Sequence, residues 1–309
     1  MPNGFVAPTR APDNRGAVLA MVASVALFSA GDTAMKVLGS SLPTGQNLVT
    51  RAAFAVAMSY VYMRLRGESF SLAQLKHPVL WARAVLEIIL VTAFVSTLPH
   101  LRLGDVTAIT QTTPLMMTAL AALILREEVG WRRWCAAAAG FLGVLLVARP
   151  GAAGFNVWAL VAVGVAFVVA LRDLITRFVP QDVSTGFVTL MTTMAAGVGG
   201  LMLAPFETWA APSRPQLGVT VFAAAMTTIG CVFVIRAFRI GETSLVAPFR
   251  YTVIPFALLW GFLAFGERPD GIALIGIALI VGAGLYTLHR ERARRAAALG
   301  ITGGDRPAP

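Results

Sequence analysis

The chain has 309 residues, of which 57% are hydrophobic and only 13% charged, with a mean hydropathy of +0.75. A soluble globular chain carries about a quarter charged residues, so this composition excludes a soluble enzyme or binding domain. The net charge of +10 needs no nucleic acid partner, because the basic residues sit in short loops between apolar runs, the pattern of the positive-inside rule.

Ten apolar stretches follow one another along the chain. About 20 apolar residues cross the hydrocarbon core as a helix, and backbone in lipid must satisfy its own hydrogen bonds. The spacing predicts helices 1 to 5 over 17–38, 45–63, 79–98, 105–125 and 133–148, and helices 6 to 10 over 156–177, 185–204, 217–237, 243–265 and 271–288. Breaks fall at Ser-Ser-Leu-Pro (40–43), Lys-His-Pro (76–78), Arg-Pro-Gly (149–151) and Pro-Ser-Arg-Pro (212–215), the punctuation expected of turns. The first run is too long for a signal-peptide core and is expected to remain as helix 1. Residues 1–15 and 291–309, rich in Pro, Gly, Arg and Ala, are expected to be disordered cytoplasmic ends. Cys135 and Cys231 fall within spans without ligand or redox spacing and read as packing residues.

With the N-terminus inside, sixteen Lys and Arg fall on inner segments and five on outer ones. That bias predicts both termini in the cytoplasm.

The ten helices divide into two similar halves, 16–150 and 151–290. Asp32-Thr-Ala-Met-Lys36 matches Asp173-Leu-Ile-Thr-Arg177, each followed by Thr-Gly at 44–45 and 185–186. Arg102-Leu-Gly-Asp105 matches Arg239-Ile-Gly-Glu242, and Leu125-Arg-Glu127 matches Phe265-Gly-Glu267. Five helices per half is an odd number, so the second half enters the membrane inverted. Inverted repeats are the architecture of secondary transporters. The expected fold is therefore an all-α membrane protein of ten transmembrane helices in two inverted five-helix repeats.

Over about residues 16 to 290 the chain resembles the drug/metabolite transporter superfamily in its ten-helix EamA-type branch. Four segments carry the resemblance: Ser29-Ala-Gly-Asp-Thr-Ala-Met-Lys36, Glu127-Glu-Val-Gly-Trp-Arg-Arg-Trp134, Ala247-Pro-Phe-Arg-Tyr251 and Phe265-Gly-Glu-Arg-Pro-Asp270. The arrangement is similar to that of bacterial S-adenosylmethionine and riboflavin transporters of the branch. What this implies is transport of a small molecule across a bacterial inner membrane, with those two compounds as candidate substrates.

Ionisable groups within spans are costly and become functional candidates by default. Asp32 lies near the outer end of helix 1, Asp173 near the inner end of helix 6, Arg51 in helix 2 and Arg250 in helix 9. One reading makes Asp32, Arg51 and Asp173 gating charges that, with Arg250, close the two ends of a pathway in turn. The other is local, with Asp32–Lys36 and Asp173–Arg177 as neutralising pairs four residues apart. Arg83 and Glu87 sit one turn apart in helix 3, whereas the second half has Thr220 and Ala224 at the matching offset. A charged pair in one half alone points to substrate or proton binding, and its alternative is an intrahelical salt bridge.

Helices 4 and 9 carry polar, proline-interrupted stripes: Thr107, Thr110, Gln111, Pro114 and Thr118, and Ser244, Pro248, Tyr251, Thr252 and Pro255. Proline frees the carbonyl four residues back, and broken backbone is tolerated in a membrane where it lines a cavity. Gln111 and Tyr251 are the candidates to meet substrate, while helix packing accounts for most of the threonines. Trp81, Trp158, Trp209 and Phe155 lie near span ends and read as interface anchors. Glu127 and Glu267 read as structural, paired to helix ends or to Arg132 and Arg268.

Glycine phosphate loops, HExxH and the nucleophile elbow are absent from the sequence, so no cofactor, metal or enzymatic activity is expected. The expected partners are a small-molecule substrate and the lipid bilayer. A coupling proton or sodium ion and a homodimer stay open, as does an amino-acid or drug exporter. From another class, a non-transporting scaffold or sensor subunit also stays open.

Overall fold

The computed structural model describes residues 13–67, 75–116, 120, 131–148, 156–176, 178–179, 183, 185–240 and 246–298. Expectations for residues 1–12 and 299–309, and for Thr118, Glu127, Phe155, Arg177 and Ser244, lie outside them.

The described residues are helical, with no strand among them. The first half supplies α1 (Asn14–Gly39), α2 (Thr44–Leu65), α3 (Pro78–Thr97), α4 (Leu103–Thr110) and α5 (Trp131–Ala148). The second supplies α6 (Trp158–Thr176), α7 (Thr185–Leu203), α8 (Arg214–Ile240), α9 (Val253–Phe265) and α10 (Gly271–Ala298). Local chemistry sets several ends. Asp13 caps α1 by accepting from the Gly16 N–H at 2.9 Å, and Pro78 opens α3 where its missing N–H costs nothing. Gly266, at φ +65°, closes α9 in the left-handed conformation.

Three expectations change. The helix expected over 105–125 stops at Thr110 and turns at Gln111–Thr112 before a short helical stretch at 113–116. Pro114 is the cause, since it cannot bond the Thr110 carbonyl and its ring crowds it; Thr113 Oγ1 donates to that carbonyl instead, at 2.7 Å. The helix expected over 243–265 is likewise divided, with a 3-10 turn at Ala247–Thr252 leading into α9. Finally, α10 runs on to Ala298, into the segment from 291 expected to be disordered. Its last residues, Arg-Ala-Arg-Arg-Ala-Ala-Ala, are good helix formers.

Packing is organised by exchange between the halves. α1 lies along α8 and α3 along α6, α2 meets α7, α4 meets α9, and α5 meets α10. Exchanging each helix with its counterpart five places on turns this set into itself, which is a two-fold relation. Each pair runs antiparallel. Asp13 N–H donates to the Ile240 carbonyl and Ser24 Oγ to that of Gly230, so α8 numbers fall as α1 numbers rise. Arg83 meets Thr176 while Glu87 meets Arg172. The second half is thus inverted against the first.

Glycines let two of these pairs approach to backbone contact. A Cβ on Gly45 would lie 2.6 Å from the Gly200 carbonyl oxygen, and one on Gly200 would lie 2.6 Å from that of Gly45. Gly143 and Gly276 repeat the arrangement between α5 and α10, again at 2.6 Å each way. Small residues at such contacts are how membrane helices gain close packing.

Bulky apolar side chains face outward along the bundle, among them Phe141, Leu142, Leu201, Phe262, Leu263 and Ile275. A water-facing surface does not carry so continuous a patch; a lipid-facing one does. Five helical segments are long and apolar enough to cross a bilayer: Asn14–Gly39, Pro78–Thr97, Trp158–Thr176, Gly186–Phe206 and Arg214–Val234. Shorter apolar helices accompany them at Trp134–Ala148, Phe249–Phe265 and Gly271–Thr287.

Gly143→Val should therefore lower the melting temperature in detergent, at a cost of about 1–3 kcal/mol for overpacking. Gly218 of α8 has nothing within 4 Å of its would-be Cβ, so Gly218→Ala should be neutral or slightly stabilising. Equal shifts for the two variants would contradict the backbone contact between α5 and α10.

Candidate functional site

The basic residues within the spans, clear of their ends, are Arg51, Arg83, Arg172 and Arg250. The first three gather around Glu87 and Asp173. Glu87, buried on α3, accepts from Arg172 Nη1 of α6 at 3.0 Å. Arg172 also turns back on its neighbour, donating Nε at 3.0 Å and Nη2 at 2.7 Å to Asp173 Oδ1. One guanidinium thus holds a carboxylate from each half of the chain. Arg83 reaches away from Glu87, bonding Thr176 Oγ1 of α6 at 3.0 Å and Thr192 Oγ1 of α7 at 2.5 Å. The intrahelical Arg83–Glu87 bridge is therefore replaced by bonds across helices. Arg51 of α2 lies within electrostatic reach of Asp32, Glu87 and Cys231. Arg51 thus feels both Asp32 and Glu87, while Arg250, expected beside Asp173, makes no ion pair among the described residues.

Sequence reasoning passed over Arg172. It hides beside Asp173 in the motif that repeats Gly31-Asp32, where the first half has glycine. The usable signal was simpler: it is one of very few basic residues in a span, and so a candidate by the same rule that selected the others.

The pair expected between Asp32 and Lys36 does not form. Lys36 is buried and donates to Glu267 Oε1 at 2.5 Å and to the Leu101 carbonyl. It also lies 5.0 Å from the centre of the Phe265 ring. Glu267 Oε2 accepts from the Leu103 N–H at 2.8 Å, compensating the positive N-terminus of α4. Glu267 is thus structural as expected, but its cation is Lys36 rather than Arg268. Arg102 closes the same end, donating Nε to Asp105 at 2.7 Å and Nη1 to the Arg268 carbonyl at 3.0 Å.

Beside the charge network lies a cavity of about 410 Å³, within the usual range for small-molecule sites. Leu90 and Phe94 of α3 form one wall, and Val165, Val169 and Asp173 of α6 another. Thr110, Gln111, Thr113 and Pro114, where α4 breaks, and Arg250 and Tyr251 of the 3-10 turn complete the lining. Both interrupted helices therefore meet here. Gln111 Nε2 donates to the Arg250 carbonyl at 3.4 Å. Tyr251 is mostly core, packed with Ile109, Ile254 and Ile280. Its hydroxyl lies against Gly284 of α10, where a Cβ would come within 1.8 Å, and takes no hydrogen bond among the described residues. What Tyr251 presents to the cavity is ring surface.

Of the sequence candidates, Gln111, Asp173, Arg250 and Tyr251 line the cavity, while Glu87 and Arg83 are bonded in the helices behind it. Asp32 and Arg51 belong to the far side of the network. The arrangement can bind a small polar molecule with an aromatic or apolar part, holding it between Phe94, Tyr251 and groups that accept or donate hydrogen bonds.

The model of the EamA-like transporter family matches the chain twice, over residues 15–149 and 156–288. The chain belongs to that family. It is similar to a riboflavin transporter of Rhizobium johnstonii, 29% identical over 82% of this chain and 84% of the relative. It is also similar to a pseudopaline exporter of Pseudomonas aeruginosa, 27% identical over 86% of this chain and 93% of the relative. A third relative, an S-adenosylmethionine uptake transporter of Rickettsia prowazekii, is 25% identical over 60% of this chain and 63% of its own length. A solved crystal structure 21% identical in sequence superimposes with a TM-score of 0.60, covering 91% of this chain and 98% of that one, and supports the fold. The EamA chain is accordingly an integral, multi-pass membrane protein of a transporter family.

Arg172→Leu would leave Glu87 and Asp173 without their shared cation. Breaking a buried pair in this way costs about 3–5 kcal/mol, and the variant should melt well below the wild type. Glu87→Gln, which keeps an oxygen acceptor for Arg172, should lose much less. Thermal unfolding of both in detergent checks the order, and the reverse order would refute the shared bridge.

Proposed function

We propose that this chain is a secondary carrier of a bacterial inner membrane. Ten transmembrane helices in two inverted repeats, with both termini cytoplasmic, move a small polar metabolite by alternating access. The cavity between α3, α4, α6 and the 3-10 turn is its binding site. The observation that carries this reading is that the two interrupted helices, one from each repeat, meet at that cavity beside the Glu87–Arg172–Asp173 charge network. Secondary transporters bind between repeats, at discontinuous helices. Gln111, Arg250 and Tyr251 line the site, and Arg83, Glu87, Asp32, Arg51 and Asp173 supply the charges whose pairing changes between access states.

S-adenosylmethionine and riboflavin are the candidate substrates, in keeping with the names of two relatives. The relative named as an exporter keeps the outward direction as a second reading, with an amino acid or another metabolite as cargo. A scaffold without transport is disfavoured by the buried charges, which a purely structural bundle has no need to retain.

Counterflow in proteoliposomes tests carrier and substrate together. Vesicles loaded in turn with unlabelled S-adenosylmethionine, riboflavin or an amino-acid mixture should take up the matching labelled compound, saturably and with self-competition. Failure with all three, in vesicles holding folded protein, would discard these substrates. If Glu87 carries a coupling proton, Glu87→Gln should abolish the response of uptake to an imposed pH gradient while leaving counterflow in place. An unchanged response would remove Glu87 from that role. Reporter fusions at the two ends should both read cytoplasmic, and opposite readings would overturn the topology.

A further inference from the structure

We infer that Arg250 recognises a carboxylate on the transported molecule, so that of the two candidate substrates the acid-bearing S-adenosylmethionine, or another organic acid or zwitterion, is favoured over neutral riboflavin. The inference rests on the carrier reading and names the substrate class of the same site. Three of the four arginines within the spans are compensated inside the bundle. Arg172 is bonded to Glu87 and Asp173, Arg83 to two threonine hydroxyls beside them, and Arg51 lies in the field of Asp32 and Glu87. The guanidinium of Arg250 makes no ion pair or hydrogen bond among the described residues, although its own carbonyl accepts from Gln111. It lines the cavity and is open to it.

A guanidinium that lines a cavity between helices without an ion pair among the described residues is free to take an anion, and an arginine fork is shaped for a planar oxyanion. The charge balance sets the valence. Asp32, Glu87 and Asp173 offset Arg51, Arg83 and Arg172, leaving Arg250 as one surplus positive charge. A carboxylate monoanion brings the site to neutrality, whereas a phosphate dianion would overshoot it. Arg83, which the sequence also offered as a carboxylate partner, is already occupied. Tyr251, next to Arg250 in the 3-10 turn, and Phe94 of the α3 wall line the same cavity, so an aromatic or heterocyclic body fits beside the acid group.

Nicotinate and nicotinamide, which differ only in a carboxylate against a carboxamide, are the probes. Binding of each, radiolabelled, is measured by equilibrium dialysis against the full chain in detergent, with empty micelles subtracted. Wild type should bind nicotinate and hold it at least about tenfold more tightly than nicotinamide, the worth of one charge-assisted pair. Arg250→Gln should erase the difference, and Arg250→Lys, which keeps the charge but not the fork, should retain part of it. Equal binding of the two probes, no nicotinate binding, or a preference that survives in Arg250→Gln overturns the inference. Melting curves of the variants confirm that they are folded. Counterflow without any preference for acids would leave the carrier standing and sink the carboxylate; an Arg250-dependent acid preference without counterflow of any compound would do the opposite.

Discussion

Arg172 holds two carboxylates at once, Glu87 from the first half of the chain and Asp173 from its own helix. A charge placed among lipid-facing helices must find its compensation inside the bundle, since no water is there to supply it. That requirement fixes much of the architecture. It draws α3 against α6 across the repeat boundary and sends Arg83 onward to α7. It also brings Arg51 of α2 within the field of Glu87. The cavity opens beside this knot because the helices that would otherwise fill the space, α4 and the one ending in α9, are interrupted where they reach it.

Interruption and charge are linked through backbone accounting. Pro114 leaves the Thr110 carbonyl without its helical donor, and the Thr113 hydroxyl takes that place. Thr252 Oγ1 also donates to a backbone carbonyl, that of Phe249, at 2.6 Å within the 3-10 turn. The threonines that appear in the sequence as a polar stripe are in large part spent on satisfying their own chain. This leaves Gln111, Arg250 and the second oxygen of Asp173 as the polar groups with capacity to spare on the cavity wall.

Much of the fold was legible because the bilayer imposes a length and a polarity that composition displays openly. The apolar runs at 17–38, 79–98 and 133–148 lie within a few residues of α1, α3 and α5. The repeat of Asp32 in Asp173 was equally plain. What escaped reading was every decision made between distant segments. Lys36 had Asp32 four residues away and a local rule to favour it, yet its partner is Glu267, on the far side of the second repeat. Arg83 and Glu87 looked self-sufficient on one helix, and both bond elsewhere. The prolines announced that helices 4 and 9 would bend, but where the helix resumes depended on which hydroxyls could reach the freed carbonyls. Arg172 carries no signal from the repeat, because the matching position in the first half is Gly31.

That mismatch has its own consequence. The two-fold relation carries the α3·α6 seam onto the α1·α8 seam, and there the counterparts of Arg172 and Glu87 are Gly31 and Ala224. Among the described residues the second seam has no ion pair between its own two helices at that level: Gly31 packs against Thr227, Ala223 and Met226, with contacts of 3.3 to 3.5 Å to its would-be Cβ. One seam is bolted by an ion pair and the other is smooth. For a carrier that opens first one seam and then the other, the two open forms are not mirror images of equal energy. In the proposed carrier the resting orientation would then be biased by the sequence itself, before any solute or gradient acts, although the rocking helices would be drawn from matching halves.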